Sequence, residues 1–296
     1  MAKLRPVQIV ALAVATTSVA CSVDVRGSEV STREEKRFTV SNTQPVDLKL
    51  KTFDGTLTVR SWDKNEVFVE IERRAPDQSA ADALVVNQTQ DGNKIIIEAL
   101  SPEERRRVNF NNGHSVNFTV TIPRRVALEA STGDGSINVD DLQGTIDLNS
   151  GDGRIIVSRL DGQLKAHTGD GTIRVDQAAG KVDADSGDGS IEITGRLDDL
   201  AVRTGDGPVR IDASNGSAMK NDWRITTGDG RVALRLPSDF NASIDASTGD
   251  GTVHVDGIDT PRTGDESERR RVVGQLGTGG ATLHIRSGDG SIDVTR

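Results

Sequence analysis

One cysteine, Cys21, occurs in 296 residues, so the chain can close no internal disulfide and draws no stability from an oxidising compartment. Tyrosine is absent, and two Trp and six Phe supply all the aromatic side chains. That is thin material for a sugar groove floored by exposed rings. Basic residues are outnumbered, 36 Lys and Arg against 45 Asp and Glu, for a formal charge of −9. Nucleic acid and anionic lipid surfaces both require a basic face, and no polybasic stripe runs along the body, so neither is an expected partner. The longest apolar run, Val7 to Val14, is too short to cross a bilayer. Hydrophobic residues make up 34% and charged residues 27% of the chain, a balance that by itself favours disorder. The arrangement of those few apolar residues points the other way.

The N-terminus has the grammar of export. Lys3 and Arg5 precede the apolar run, and Ala15 to Ala20 are small or polar residues leading to Cys21. A positive start, an apolar stretch of this length and small residues before a cut describe a signal peptide over residues 1–20. Ser18-Val19-Ala20-Cys21 resembles the lipobox of bacterial lipoproteins, which implies acylation of Cys21 and attachment to a membrane through lipid. Leu is usual where Ser18 stands, and Ser18 and Ala20 also suit ordinary signal-peptidase cleavage. Residues 21–37 carry charges without periodicity and are expected to be a flexible tether. The expected location is the cell envelope, at the outer membrane or facing the periplasm.

Repetition then dominates. Gly-Asp-Gly occurs eight times, with its aspartates at Asp134, Asp152, Asp170, Asp188, Asp206, Asp229, Asp250 and Asp289. The first five are 18 residues apart, and the later gaps of 23, 21 and 39 read as loop insertions in an unchanged unit. Ser or Thr precedes every copy. Three residues after each Asp stands Ile or Val, from Ile137 to Ile292, and two further on Val, Ile or Leu, from Val139 to Val294. Polar residues lie between them. Period-two alternation of β-branched residues is the signature of a strand with one buried face. A second strand follows in each unit, with Ile146 and Leu148 or Leu164 and Ala166 inward, after turns such as Asp140 to Gly144. A unit this small cannot bury its own apolar face, so neighbours must stack. The expected fold is all-β, a single-stack parallel β-helix (β-solenoid) of 18-residue rungs. One domain is expected over 38–296, irregular over 38–125 and regular over 126–296. Phe53-Asp54-Gly55 echoes the repeat in the irregular part, and Pro76 to Gln88 is the one helical candidate.

From Phe38 onward the chain resembles the bacterial putative-adhesin family, a domain of unknown function built from Gly-rich β-helical units. Val59-Arg60-Ser61-Trp62-Asp63, Glu66-Val67-Phe68-Val69, Val120-Thr121-Ile122-Pro123 and the Ser/Thr-Gly-Asp-Gly series carry the resemblance. It implies the fold; adhesion follows from the family name by analogy only.

Each conspicuous residue has a plain and a functional reading. The Gly-Asp-Gly aspartates suit tight turns, since Gly tolerates unusual backbone angles and Asp hydrogen-bonds nearby N–H groups. Stacked carboxylates also repel, and calcium between rungs would relieve that, though an oxygen cage needs several ligands per ion. Turn formation is the expectation, with no cofactor and calcium as the alternative. The acid pairs Asp140/Asp141 and Asp198/Asp199 lie in turns, and paired carboxylates alone do not make a glycosidase. His114, His167, His254 and His284 lack metal-ligand spacing. Arg269, Arg270 and Arg271, in a long insertion from Asp256 to about Gly280, and Trp223, in the 23-residue unit, are candidate partner contacts. Arg105 to Arg107 form a second basic run. The expectation is a non-catalytic envelope lipoprotein that binds or scaffolds an envelope protein or polysaccharide. A periplasmic structural or signalling accessory is the alternative, and a β-helical carbohydrate-active enzyme the remote one.

Overall fold

The computed structural model describes residues 22–26, 29–100, 113–258 and 270–296. Cys21, Arg105 to Arg107 and Arg269 therefore lie outside the described residues. Among the described residues the fold is all-β with one short helix, and the strands join in a single 21-stranded sheet with open edges.

The regular body comprises β10 (Ile137–Ser150), β11 (Ile155–Thr168), β12 (Ile173–Ser186), β13 (Ile191–Thr204), β14 (Val209–Ala213), β15 (Trp223–Thr227) and β16 (Val232–Arg235). Before it come β1 (Ser22–Arg26), β2 (Glu29–Thr39), β3 (Val46–Lys51), β4 (Leu57–Trp62), β5 (Glu66–Ala75), α1 (Gln78–Ala83), β6 (Val86–Asp91), β7 (Lys94–Ala99), β8 (Ser115–Pro123) and β9 (Arg125–Thr132). After it come β17 (Ala242–Thr248), β18 (Val253–Val255), β19 (Arg271–Leu276), β20 (Thr282–Ser287) and β21 (Ile292–Thr295).

Strands β10 to β13 pair in parallel with an offset of one repeat, Ile137 beside Ile155 and Ile155 beside Ile173. Each Gly-Asp-Gly turn carries the chain from the second half of one strand to the first half of the next, so two parallel ladders run the length of the molecule. Their inward side chains form one core: Ile137, Ile155, Ile173 and Ile191 from one ladder, Ile146, Leu164, Val182 and Leu200 from the other, all at most 2% exposed. Burial of each such side chain contributes about 1.5–3 kcal/mol before entropy is counted.

Turns were expected between the two halves of each unit. Instead the ladder continues through the corner, where Leu142 pairs beside Leu160 and Gly144 beside Gly162. The chain bends there through Asp141 at φ 56° and Gly144 at φ 135°, and the corner leucines are buried.

The 23-residue unit is a loop insertion in the unchanged series, with residues 214–222 looping out between β14 and β15, but beyond it the layers change order. Strand β20 pairs with β15 on one side and β17 on the other, and β21 likewise lies between β16 and β18. The last segment of the chain is thus wedged between two layers that precede it in sequence, and Asp289 sits between Asp229 and Asp250. Part of the 39-residue gap forms β19, antiparallel to β17. The same exchange occurs at the other end, where β3 and β4 lie between β7/β8 and β9/β10. Identical ladders make this possible, because any layer offers its neighbour the same register.

Within the expected tether over 21–37, the described residues 22–26 and 29–37 are strands instead: β1 pairs with β2, and β2 pairs antiparallel with β5 from Val30/Ala75 to Thr39/Glu66. The polar sequence hid this because the pairing is secured by ions rather than burial, through Arg33–Glu72 at 3.1 Å, Arg73–Glu34 at 2.7 Å and Arg37–Glu66 at 2.9 Å. The helix is shorter than 76–88. Asp77 caps it by accepting from the Ala80 N–H at 2.8 Å, Leu84 leaves helical geometry, and Val86 onward joins a hairpin with β7. Among the described residues no helix is long and apolar enough to cross a membrane.

Candidate functional site

The repeated turns form a spine along one edge of the stack. The first Gly N–H donates to the first Gly carbonyl of the neighbouring layer, as from Gly169 to Gly151 and Gly187 to Gly169, except that Gly133 donates to Phe53 O. The layers approach so closely that a Cβ on Gly153 would sit 2.0 Å from the Gly135 oxygen, and one on Gly171 2.1 Å from the Gly153 oxygen. The Ser or Thr before each turn is buried and ties the spine together. Thr168 Oγ1 donates to Gly153 O at 2.9 Å, Ser186 Oγ to Gly171 O at 2.9 Å and Thr204 Oγ1 to Gly189 O at 2.8 Å. Some of these hydroxyls also accept from their own turn, as Ser150 Oγ does from Gly153 N at 3.0 Å. The sequence showed the invariant Ser/Thr but gave it no task. Thr168→Val should lower unfolding free energy by about 1–3 kcal/mol, the cost of an unmet buried acceptor. The half-exposed Thr172→Val should change it by a few tenths at most; chemical denaturation of both checks the pair.

The eight aspartates between these glycines are all exposed. Among the described residues no three His, Cys, Asp or Glu side chains gather as a metal site. The acid pairs have structural partners. Asp140 meets Arg159 at 2.5 Å, Asp141 accepts from Ser61 at 2.6 Å, Asp198 is gripped by Arg196 and Lys220, and Asp199 accepts from Asn221. Trp223, a candidate partner contact, is a core residue instead: its side chain is fully buried against Phe240, with ring centroids 5.2 Å apart, and cannot meet a partner. The extra residues of its unit lie before it and let the indole turn inward as a plug. Arg270 lies 3.4 Å from Asp250, and Arg271 begins β19 with Asp245 at 3.4 Å.

Where the antiparallel cap meets the first turns, regularity breaks. A cleft of about 580 Å³ opens between β5, β8, β4 and the turns of Asp54 and Asp134. Its wall is Glu72, which accepts from Asn117 at 3.0 Å, Ser31 at 3.1 Å and Arg33 at 3.1 Å, with Arg74 at 2.9 Å. Asn117 Oδ1 takes the Thr56 N–H at 2.8 Å, so this amide is fixed from both ends. Thr58, Thr119, Ser115 and Ser136 add hydroxyls. Partial burial opposes ionisation of Glu72, but Asn117, Arg33 and Arg74 outweigh it and hold the carboxyl below its ordinary range. Asp54 is the opposite case: partial burial, then the charge of Asp134, push its carboxyl above 3.8.

The two directions give opposite pH signatures. Asp54 binds its proton more tightly folded than unfolded, so it withdraws stability as pH rises from about 3.8 through its raised value. Asp54→Asn is expected to melt higher than the parent at pH 7, with the gap closing near pH 3. Asp245 is held low, chiefly by Arg286 at 2.5 Å, and supplies stability above about 3.8 that is lost as pH falls through its lowered value. Asp245→Asn should therefore melt lower than the parent at pH 7 and match it in acid. Thermal melts of the three proteins across pH check both signs.

A second depression, of about 410 Å³, lies on the outer face of β14, β16 and β21. At its centre Ala233 is flanked along the chain by Arg231 and Arg235 and across the ladder by Arg210 and Asp293.

Open parallel layers, Gly-rich turns and antiparallel caps define a class of stacked β-repeat proteins, and comparison places the chain within it. Residues 16–295 match the Toastrack DUF4097 family model, and the chain belongs to that family. No curated protein matches it. Among solved structures, a putative cell adhesion protein from Clostridium sporogenes ATCC 15579 is 14% identical over 89% of this chain and 99% of its own, with a TM-score of 0.32. A putative lipid binding protein from Parabacteroides distasonis ATCC 8503 is 14% identical over 89% and 97%, with a TM-score of 0.48. A putative adhesin from Bacteroides fragilis NCTC 9343 is 12% identical over 88% and 96%, with a TM-score of 0.38.

Proposed function

We propose that the protein is a cell-envelope lipoprotein, anchored through Cys21, whose β-solenoid binds a polyhydroxylated envelope polymer without transforming it. The observation that carries this reading is the cleft at the junction of cap and stack. Hydroxyls of Thr58, Thr119 and Ser136, the fixed amide of Asn117 and the carboxylates of Asp54 and Asp134 line it, alternating acceptors with groups that do both. Sugar hydroxyls, donor and acceptor at once, complement such a surface and carry no charge for the acidic chain to repel. The family match supports a stacked β fold, and the names of the solved proteins are in keeping with a surface-binding role. The repeats themselves are spent on structure, which makes the body a rigid spacer. Neither cofactor nor calcium enters this reading, and chelator should leave the melting temperature unchanged.

The test is sedimentation of the purified body with insoluble envelope polysaccharide. Asn117→Ala and Asp54→Asn should each reduce the bound fraction severalfold while leaving the fold intact by circular dichroism. Equal binding by parent and variants removes the cleft from the function. The raised Asp54 beside Asp134 is the one observation that favours the carbohydrate-active enzyme, with Asp54 as proton donor. Release of soluble sugar by the parent and not by Asp54→Asn would establish that alternative. Labelling of cells with a fatty acid, lost in Cys21→Ala, tests the anchor.

A further inference from the structure

We propose that the depression around Ala233 is a binding site for a phosphate group, separate from the cleft of Asp54 and independent of the polymer-binding reading. Outward side chains on this ladder form a grid, about 4.8 Å between strands and about 6.7 Å between alternate residues of one strand. The neighbouring grid points carry polar side chains, Arg210 and Asp212 on β14 and Asp293 and Thr295 on β21. At Ala233 the grid has a hole, floored by a methyl group and bounded on three of its four sides by arginines. Arg231, immediately before β16, and Arg235, at its end, flank it along the chain, and Arg210 faces it from β14. The fourth side is Asp293, on β21.

The charges around this hole are not balanced. Arg231 is committed to Asp293, which it meets through Nε at 3.0 Å and Nη2 at 2.6 Å. Arg210 and Arg235 make no hydrogen bond or ion pair among the described residues and stand exposed on either side of the floor. Asp212 neighbours Arg235 in register yet does not pair with it. In a chain of net charge −9, the lining of this hollow carries three arginines against Asp212 and Asp293, a local excess of positive charge.

Geometry selects the anion. A carboxylate has two oxygens in one plane and is satisfied by the fork of a single Arg. Here the donors come from different strands and directions, which suits the three oxygens of a phosphate. The volume of about 410 Å³ admits a phosphate together with the small sugar or glycerol unit that bears it, within the range of small-molecule sites. Such a group could belong to a free phosphorylated sugar or to a lipid headgroup; the recognising chemistry is the same.

The test titrates the purified protein, by calorimetry at fixed ionic strength, with inorganic phosphate, with glucose 6-phosphate, with acetate and with vesicles containing phosphatidic acid. Saturable binding of inorganic phosphate or glucose 6-phosphate, with acetate at least about tenfold weaker, is the expected result. Vesicle binding beyond that of the soluble phosphates assigns the source to a headgroup, and its absence assigns a soluble ligand. Arg210→Ala and Arg235→Ala should each weaken binding by roughly tenfold or more. Ala233→Gln, which fills the floor without changing charge, should do the same, whereas Asp212→Asn should strengthen binding. Circular dichroism confirms that these outward substitutions fold. The proposal is overturned by absence of heat with every phosphate probe, by affinity unchanged in both arginine variants, or by acetate binding as tightly as phosphate.

Discussion

Gly171→Ala is expected to destabilise the protein by about 3 kcal/mol or more, a loss matched by few single methyl additions. The added Cβ would lie 2.1 Å from the Gly153 carbonyl oxygen, and that oxygen is held by the Thr168 hydroxyl at 2.9 Å. Neither partner can retreat without opening the space between layers. For a body of this size the melting temperature should fall by about 6–12 °C. Asp170→Asn, one residue earlier on an exposed side chain, should move it by only a degree or two. The pair separates the two chemistries of the tripeptide: close approach demands the glycines, while the aspartate is free to vary. If both substitutions melted like the parent, the spine would not be under steric control.

Removal of residues 271–296 is expected to have a larger effect, and one that reaches backward along the chain. This segment supplies β20 and β21, which are the neighbours of β15 and β16 on one side and of β17 and β18 on the other. It also supplies Arg286 and Arg271, the two cations that hold Asp245. Without it, Ile244, Ala246, Val253 and Val255 lose the layer that buries them. Hydrogen exchange should show β17 and β18 open, β15 and β16 weakened, and β10 to β13 protected as before, because repeat stacks lose order locally. Full protection over 242–255 in the shortened chain would mean that this layer docks on β15 and β16 unaided. The wedge would then be dispensable.

The repeat made the interior readable and left the order of layers open. Eight Gly-Asp-Gly copies with Ile or Val three residues on are enough to state which side chains face inward and that neighbours pair in register. They do not state which neighbour, because every ladder position presents the same partners; the exchanges that place Asp289 before Asp250, and Asp54 beside Asp134, rest on contacts far apart in sequence. Trp223 illustrates a different loss. A lone aromatic in an irregular unit reads equally as a contact or a plug, and only the neighbouring Phe240 decides between them. Strand β2 was hidden because its pairing with β5 draws on Glu34, Arg37 and their partners rather than on alternating apolar residues. The cleft of Asp54 depends on Glu72 and Asn117 from two other strands, a conjunction that no local motif announces. The hollow at Ala233 does have a sequence signature, a small residue between Arg231 and Arg235, but its meaning depends on Arg210 standing beside it.

Both ends of the stack are finished by rearranged layers and antiparallel strands, whereas β10, β11 and β12, between Asp134 and Asp188, pair at a constant offset of one 18-residue repeat. Length is therefore a free variable in this architecture. Insertion or deletion of one 18-residue module in that interval would leave both finishing structures untouched and move them apart or together by about 4.8 Å. A gene that gains or drops such modules by unequal recombination would yield a graded series of rulers, each setting the distance between the two finished ends in steps of one module.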